Sequence, residues 1–205
     1  MINDGNPEGA TPLSPDEKEG LKARHIRTRG ELDELEQTNI TQGVIKLRKK
    51  TGRINLDDAL SVSFACDLHK DMLGRVWSWA GEFRRTERNI GIDPRFISVE
   101  LRNLLDDVKA WVEFETYPGM EATLMFHHRL VKIHPFPNGN GRFSRIYAQF
   151  IGQGFLGIRQ VNWGGETLNV DGDIRRRYIE ALRRADGGNY APLFELYTSQ
   201  KPGGK

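Results

Sequence analysis

The stretch HPFPNGNGRFSR, residues 134–145, decides how the rest of the chain is read. It lies between two segments of helical periodicity, Glu121–Ile133 and Phe143–Phe150, so its frame is helix, loop, helix. Pro135 and Pro137 keep their neighbours out of helical conformation and remove two backbone donors. Gly139 and Gly141 allow a sharp turn and a close approach to a ligand. The next helix then starts near Asn140, and its first amides have no partner within the helix. Together with the helix dipole they suit an anion, most often phosphate. Arg142 and Arg145 project from one side of the first turns, where guanidinium forks match phosphate oxygens. His134, at the entrance, is a residue type that can take a proton from an incoming hydroxyl near neutral pH. Asn138 offers a carbonyl oxygen to Mg²⁺, a weaker ligand than a carboxylate.

Working outward, the chain reads as helices throughout. Leu32, Leu35, Ile40, Val44, Ile45 and Leu47 lie near helical spacing, with Gly52 as a stop. A second helix is expected over Leu56–Met72, where Leu60, Phe64, Leu68 and Met72 recur at every fourth position. Helical periodicity is lost over 75–93, RVWSWAGEFRRTERNIGID, where Phe83, Thr86 and Ile90–Ile92 predict a short β-hairpin or flap. Helices return over 98–114, with Ser98 as the expected cap, and at 171–185 and 191–199. Gly152, Gly154 and Gly157 are expected to end the helix that follows the loop. A weak helix start follows Ser14-Pro15. The fold class is all-α with one small β-hairpin flap. The expected division is an N-terminal arm (1–29), a main domain (30–200) that includes an N-terminal helix, and a tail (201–205).

Composition narrows the function classes. The 205 residues carry a net charge of +2, too little to argue for nucleic acid. The single cysteine, Cys66, cannot form an internal disulfide, and residues 1–13 show no apolar leader, so a cytoplasmic protein is expected. No run is long and apolar enough for a membrane span. His127 and His128 are adjacent on a helix, face different ways, and read as buried or capping residues. His25 and His69 stand alone in the sequence.

HPFPNGNGRFSR resembles the signature of the Fic family, HPFx[D/E]GNGRxxR. FHHRLVKI resembles the lead-in helix, WSWAGEFRRTERNI the WAG-x-x-R turn and flap, and RRYIEALRRADGGNYAPL the closing helices. TRGELDELEQTNI and HPFPNGN look most like the branch called mobile mystery protein B. The resemblance implies a Fic-type helical bundle that transfers AMP from ATP to a Ser, Thr or Tyr hydroxyl of a target protein. It implies His134 as general base, Gly139, Asn140 and Gly141 as the anion hole, and Arg142 and Arg145 on the β and γ phosphates. Phe136 would point into the core, and a flap with Thr86, Arg88 and Ile90 would align the target chain.

Asn138 departs from that signature, because the expected metal ligand is acidic. Weaker Mg²⁺ binding, another nucleotide or metal, and low activity are the open outcomes; the retained expectation is nucleotidyl transfer with altered metal affinity. Many family members also carry a [S/T]xxxE[G/N] helix whose glutamate pairs with the second signature arginine. Glu36 is the first inhibitory candidate, expected on Arg145, and Glu31 the second. Neither fits the motif, since Leu32 stands four residues before Glu36. The alternatives are a nucleotide-binding regulatory module with little catalysis and a Doc-like protein phosphotransferase, a branch that usually lacks the second loop glycine.

Overall fold

The computed structural model describes residues 18–163 and 172–198. The helix start expected after Ser14-Pro15, the first seventeen residues of the arm and the tail at 201–205 lie outside the described residues.

Helix α1 spans Arg29–Arg48. Thr28 caps it: the threonine hydroxyl accepts from the Glu31 N–H, while the Glu31 carboxylate accepts the N–H of Thr28 at 2.9 Å and of Arg27 at 2.8 Å. This reciprocal pair satisfies donors that a helix start otherwise leaves bare. Glu31, the second inhibitory candidate, is thus engaged as a capping residue at the exposed start of α1. Leu32, Glu36, Asn39, Ile40, Gly43 and Leu47 form the buried stripe of α1, laid against α3.

The helix expected over Leu56–Met72 is broken in two, α2 (Leu56–Ala59) and α3 (Val62–Leu73). Ser61 explains the break, since its hydroxyl accepts from the Phe64 N–H and starts a new helix. The Tyr147 hydroxyl donates to the Ala59 carbonyl at 2.7 Å, so a group left at the break is satisfied inside the core.

A 3-10 turn, Pro94–Phe96, leads into α4 (Ile97–Glu113). Asp93 caps the turn in place of the expected Ser98. Then follow α5 (Gly119–Ile133), α6 (Asn140–Phe155), α7 (Asp173–Asp186) and α8 (Ala191–Thr198). Helix α6 runs through Gly152 and Gly154 and stops at Leu156, before Gly157. Residues from α3, α4, α5 and α6, among them Phe64, Leu68, Leu104, Phe126, Phe143 and Tyr147, make one buried core. A smaller cluster of Leu124, Val161, Tyr178, Ala181, Leu193 and Tyr197 joins α5 to α7 and α8.

The fold is helical, and no strand forms among the described residues. The one β-type pairing described is an isolated antiparallel bridge between Leu21 and Trp77, where the end of the arm docks. Over 84–92, where the hairpin was expected, the chain is irregular. The carbonyls of Thr86 and Ile92 are taken there by the side chain of Arg84.

Candidate functional site

His134 closes α5 in a left-handed conformation (φ 53°, ψ 60°), donating its N–H to the Leu130 carbonyl at 3.0 Å. Pro135 prevents the helix from continuing. A non-glycine residue held there is uncommon and local strain of this kind clusters at functional sites. Its ring is nearly buried, and burial holds its pKa down at about 4; the positive charges of Arg84 and Arg88 push the same way, against a backbone hydrogen bond to Val131. The imidazole is therefore neutral at pH 7 and able to accept a proton.

The loop after His134 is built from underneath. Phe136 is fully buried, and its ring stacks on His69 with centroids 3.8 Å apart. His69 accepts the Gly81 N–H at Nδ1 (3.0 Å), which leaves Nε2 to donate to the Asn138 carbonyl (3.0 Å). Burial keeps His69 neutral, with its pKa lowered to about 3. Gly139 turns the chain at φ +77°, where a Cβ would meet Leu73 Cδ1 at 2.5 Å. The Asn140 side chain is buried and faces inward: Oδ1 accepts the Phe136 N–H at 2.9 Å, and Nδ2 donates to the Phe136 carbonyl at 2.7 Å. Asn140 thus locks the loop with its side chain, and what it can offer a phosphate is its amide at the start of α6. No side chain caps that helix start.

Asn138 Oδ1 accepts the neighbouring Gly139 N–H at 2.6 Å. That bond takes one of the two lone pairs of the oxygen expected to meet a metal and one amide of the expected anion hole.

Glu36 reaches the loop, but not at the arginine expected. Its Oε2 pairs with Arg142 at 2.7 Å and its Oε1 accepts from Trp77 Nε1 at 2.6 Å, with Glu36 only 2% exposed. Arg145 instead hydrogen-bonds Tyr178 of α7, whose hydroxyl also meets His127 Nε2 at 2.9 Å. Trp77 fixes the carboxylate beside the first turn of α6, where Arg142 meets it, and Arg145 is engaged by Tyr178.

Arg142, Arg145 and Tyr178 line a cavity of about 440 Å³, together with His134, Asn138 to Gly141, Asn89 and Ile90 of the flap, and Arg175 and Arg183 of α7. Ligand sites commonly have volumes of this order. Of the three flap residues expected to guide a target, Ile90 lines the cavity, Thr86 is exposed and Arg88 lends its charge to the field at His134. His127 and His128 are both buried, paired with Tyr178 and with Tyr190 and Asp186 respectively, and do not converge on a metal. Sequence reasoning passed over His69, Arg84 and Trp77. A lone histidine carries no spacing signal; Arg84 was within reach, as the last residue of WAG-x-x-R.

The arrangement defines a class: a helical protein with a glycine loop at a helix N-terminus, two arginines behind it and a neutral imidazole at its edge. A model described as the Fic/DOC family matches residues 59–151, and this part of the chain is a Fic domain. The chain is 26% identical over 155 residues to protein adenylyltransferase fic-1 of Caenorhabditis elegans, which covers 72% of this chain and 27% of that protein. It is 28% identical over 145 residues to protein adenylyltransferase Fic of Culex quinquefasciatus, covering 68% of this chain and 27% of the relative. The match thus spans about a quarter of the length of these curated relatives. In fold it resembles the Bartonella tribocorum effector BepC, solved with bound AMPPNP, with a TM-score of 0.66 at 18% identity over 94% of this chain and 100% of that one.

Proposed function

We propose that the protein is a nucleotidyltransferase that moves AMP from ATP to a hydroxyl of a target protein in the cytoplasm. The observation that carries this reading is His134, buried, neutral and strained at the lip of a cavity floored by the start of α6 and by Arg142 and Arg145. In the reaction the target oxygen forms a bond to the α-phosphorus and the bond from that phosphorus to the β-bridging oxygen breaks. His134 takes the hydroxyl proton, and pyrophosphate leaves with its charge met by the arginines. Positioning and charge neutralisation dominate such transfers. The adenylyltransferase names of the relatives support the reading.

The loop does not suit a resident Mg²⁺. Asn138 is uncharged and its oxygen is engaged by Gly139. Asp186, the one carboxylate on the described cavity wall, lies 3.2 Å from His128 and 3.9 Å from Lys132. Arginines of the chain carry the phosphate charge instead, in keeping with an altered metal requirement.

Glu36 is the inhibitory residue of this reading. While it holds Arg142, that guanidinium is withheld from the nucleotide, and α1 acts as a latch on the site. The same contact supports the alternative of a nucleotide-binding regulatory module, because Arg142 is already paired with a buried carboxylate.

One experiment separates the readings. Lysate is incubated with ATP labelled at the α or the γ phosphate, using wild type, Glu36→Gly and His134→Ala. Transfer of AMP incorporates the α label only, rises in Glu36→Gly and falls by about 10²- to 10⁴-fold in His134→Ala, the range for losing a general base. Incorporation of the γ label instead identifies phosphotransfer, and binding without either label identifies the regulatory module.

A further inference from the structure

Arg84 is buried at 2% exposure, and its side chain donates to four main-chain carbonyls. Its Nε donates to His134 at 2.6 Å, Nη1 to Thr86 at 2.9 Å, and Nη2 to Ile92 and, at 3.4 Å, to Ile133. Its own N–H donates to Pro135 at 2.9 Å. One side chain therefore binds the two ends of the flap and the residue that carries the imidazole. A guanidinium is the side chain able to do this, with five donors in a fixed plane. Burying its charge is costly unless every donor is used. Gly91 makes the junction tighter. At its φ of +114°, a Cβ would lie 2.6 Å from Arg84 Nη2 and 2.7 Å from His134 Cβ, so the flap crosses directly over both residues. Asn89 and Ile90, between the clamped carbonyls, line the same cavity as His134.

We infer that Arg84 is a positioning residue that locks the flap (86–92) and the main chain of His134 into one unit, so that a target chain lying on the flap is presented at a set distance from the base. The role in transfer rests on the adenylyltransferase reading; the mechanical coupling does not. Displacements of about 1 Å can cost a reaction about 100-fold, which is the scale on which such a clamp matters.

The test uses the full chain and three variants. Arg84→Met keeps the length of the stem and the backbone bond to Pro135 but removes the fork. Arg84→Lys restores a cation with three donors, and Gly91→Ala disturbs the junction by crowding the Arg84 fork and His134 while keeping the guanidinium itself. Hydrogen exchange is followed on peptides covering 86–92 and 133–138. In Arg84→Met both segments should exchange faster by about tenfold or more while α3 and α4 keep their protection. Gly91→Ala should loosen the same two segments, and Arg84→Lys should fall between Arg84→Met and wild type. ATP affinity by calorimetry should stay within about threefold, since the phosphate-binding groups are untouched, while target transfer in a Glu36→Gly background drops by about 10- to 100-fold with a raised KM for target. Faster exchange in only one segment, or a general loss of protection, overturns the inference. So does a fall in ATP affinity that matches the fall in transfer. If Arg84→Met does not fold, the pattern in Gly91→Ala decides. If the wild type neither binds nor transfers nucleotide, the functional reading fails, and the exchange pattern still decides the coupling.

Discussion

Glu36 is held by two donors of different kinds, and removing it should move stability and binding in opposite directions. Glu36→Gly leaves Trp77 Nε1 without its 2.6 Å acceptor and places a glycine inside α1. The first effect costs about 1–3 kcal/mol and the second about 1 kcal/mol. Arg142 is released at the same time, so ATP should bind more tightly while the melting temperature falls. Calorimetry and thermal melts on one sample check both signs; unchanged ATP affinity would remove the latch. Asn138 makes a second test at this scale. Asn138→Asp adds a negative charge to the loop beside the phosphates, so nucleotide binding should become more dependent on Mg²⁺ than in wild type. Titration of ATP with Mg²⁺ or with EDTA reads the difference directly, and equal dependence in both proteins would show that position 138 does not set the metal requirement.

At the scale of elements, the positions of α4, α5, α7 and α8 were legible to within a few residues, because each has an apolar stripe and clear stops, while α6 runs five residues past its expected end, through Gly152 and Gly154. The division of α2 from α3 was not. Phe64, Leu68 and Met72 keep one helical period, and nothing in that spacing marks Ser61 as a cap inside the run. The break depends on a distant partner, the Tyr147 hydroxyl on α6, which satisfies the Ala59 carbonyl. Ser61→Ala should therefore cost about 1 kcal/mol through the lost cap, and Tyr147→Phe a similar amount through an unsatisfied buried carbonyl; denaturant titration measures each. The site divides in the same way. His134, the loop glycines and the arginines could be read from the sequence because they sit in one short stretch. The partner of Glu36 could not, because the choice of Arg142 over Arg145 is made by Trp77 and Tyr178, far away in sequence and adjacent in space. The flap forms no hairpin among the described residues, and the loss of helical periodicity with Phe83, Thr86 and Ile90–Ile92 says nothing of Arg84, whose side chain takes the carbonyls of Thr86 and Ile92.

Over the whole molecule, four histidines are buried in the folded chain and all are held below their ordinary range mainly by that burial: His69 at about 3, His134 at about 4, and His127 and His128 in the same direction. In the unfolded chain each titrates near 6.5. Below that pH the unfolded state takes up protons that the folded state refuses, so folding stability is complete above about pH 7 and drains away as the pH falls toward the folded values. The slope in that window is about 1.4 kcal/mol per pH unit for each such histidine. Asp93, held down at about 2 by the hydrogen-bonding Arg95, acts in the same sense only below the ordinary aspartate range, and so does not shape this window. Urea titrations between pH 4.5 and 7.5, followed by tryptophan fluorescence, should show a midpoint that is level near neutrality and falls steeply below about pH 6. His69→Gln keeps a donor for the Asn138 carbonyl but does not titrate, so it should flatten the slope by one histidine's share. The imidazole of His134 stays neutral through the same window, which predicts that transfer at pH 6 keeps its rate for as long as the chain stays folded. A midpoint independent of pH would mean that these histidines open to water well before the chain unfolds.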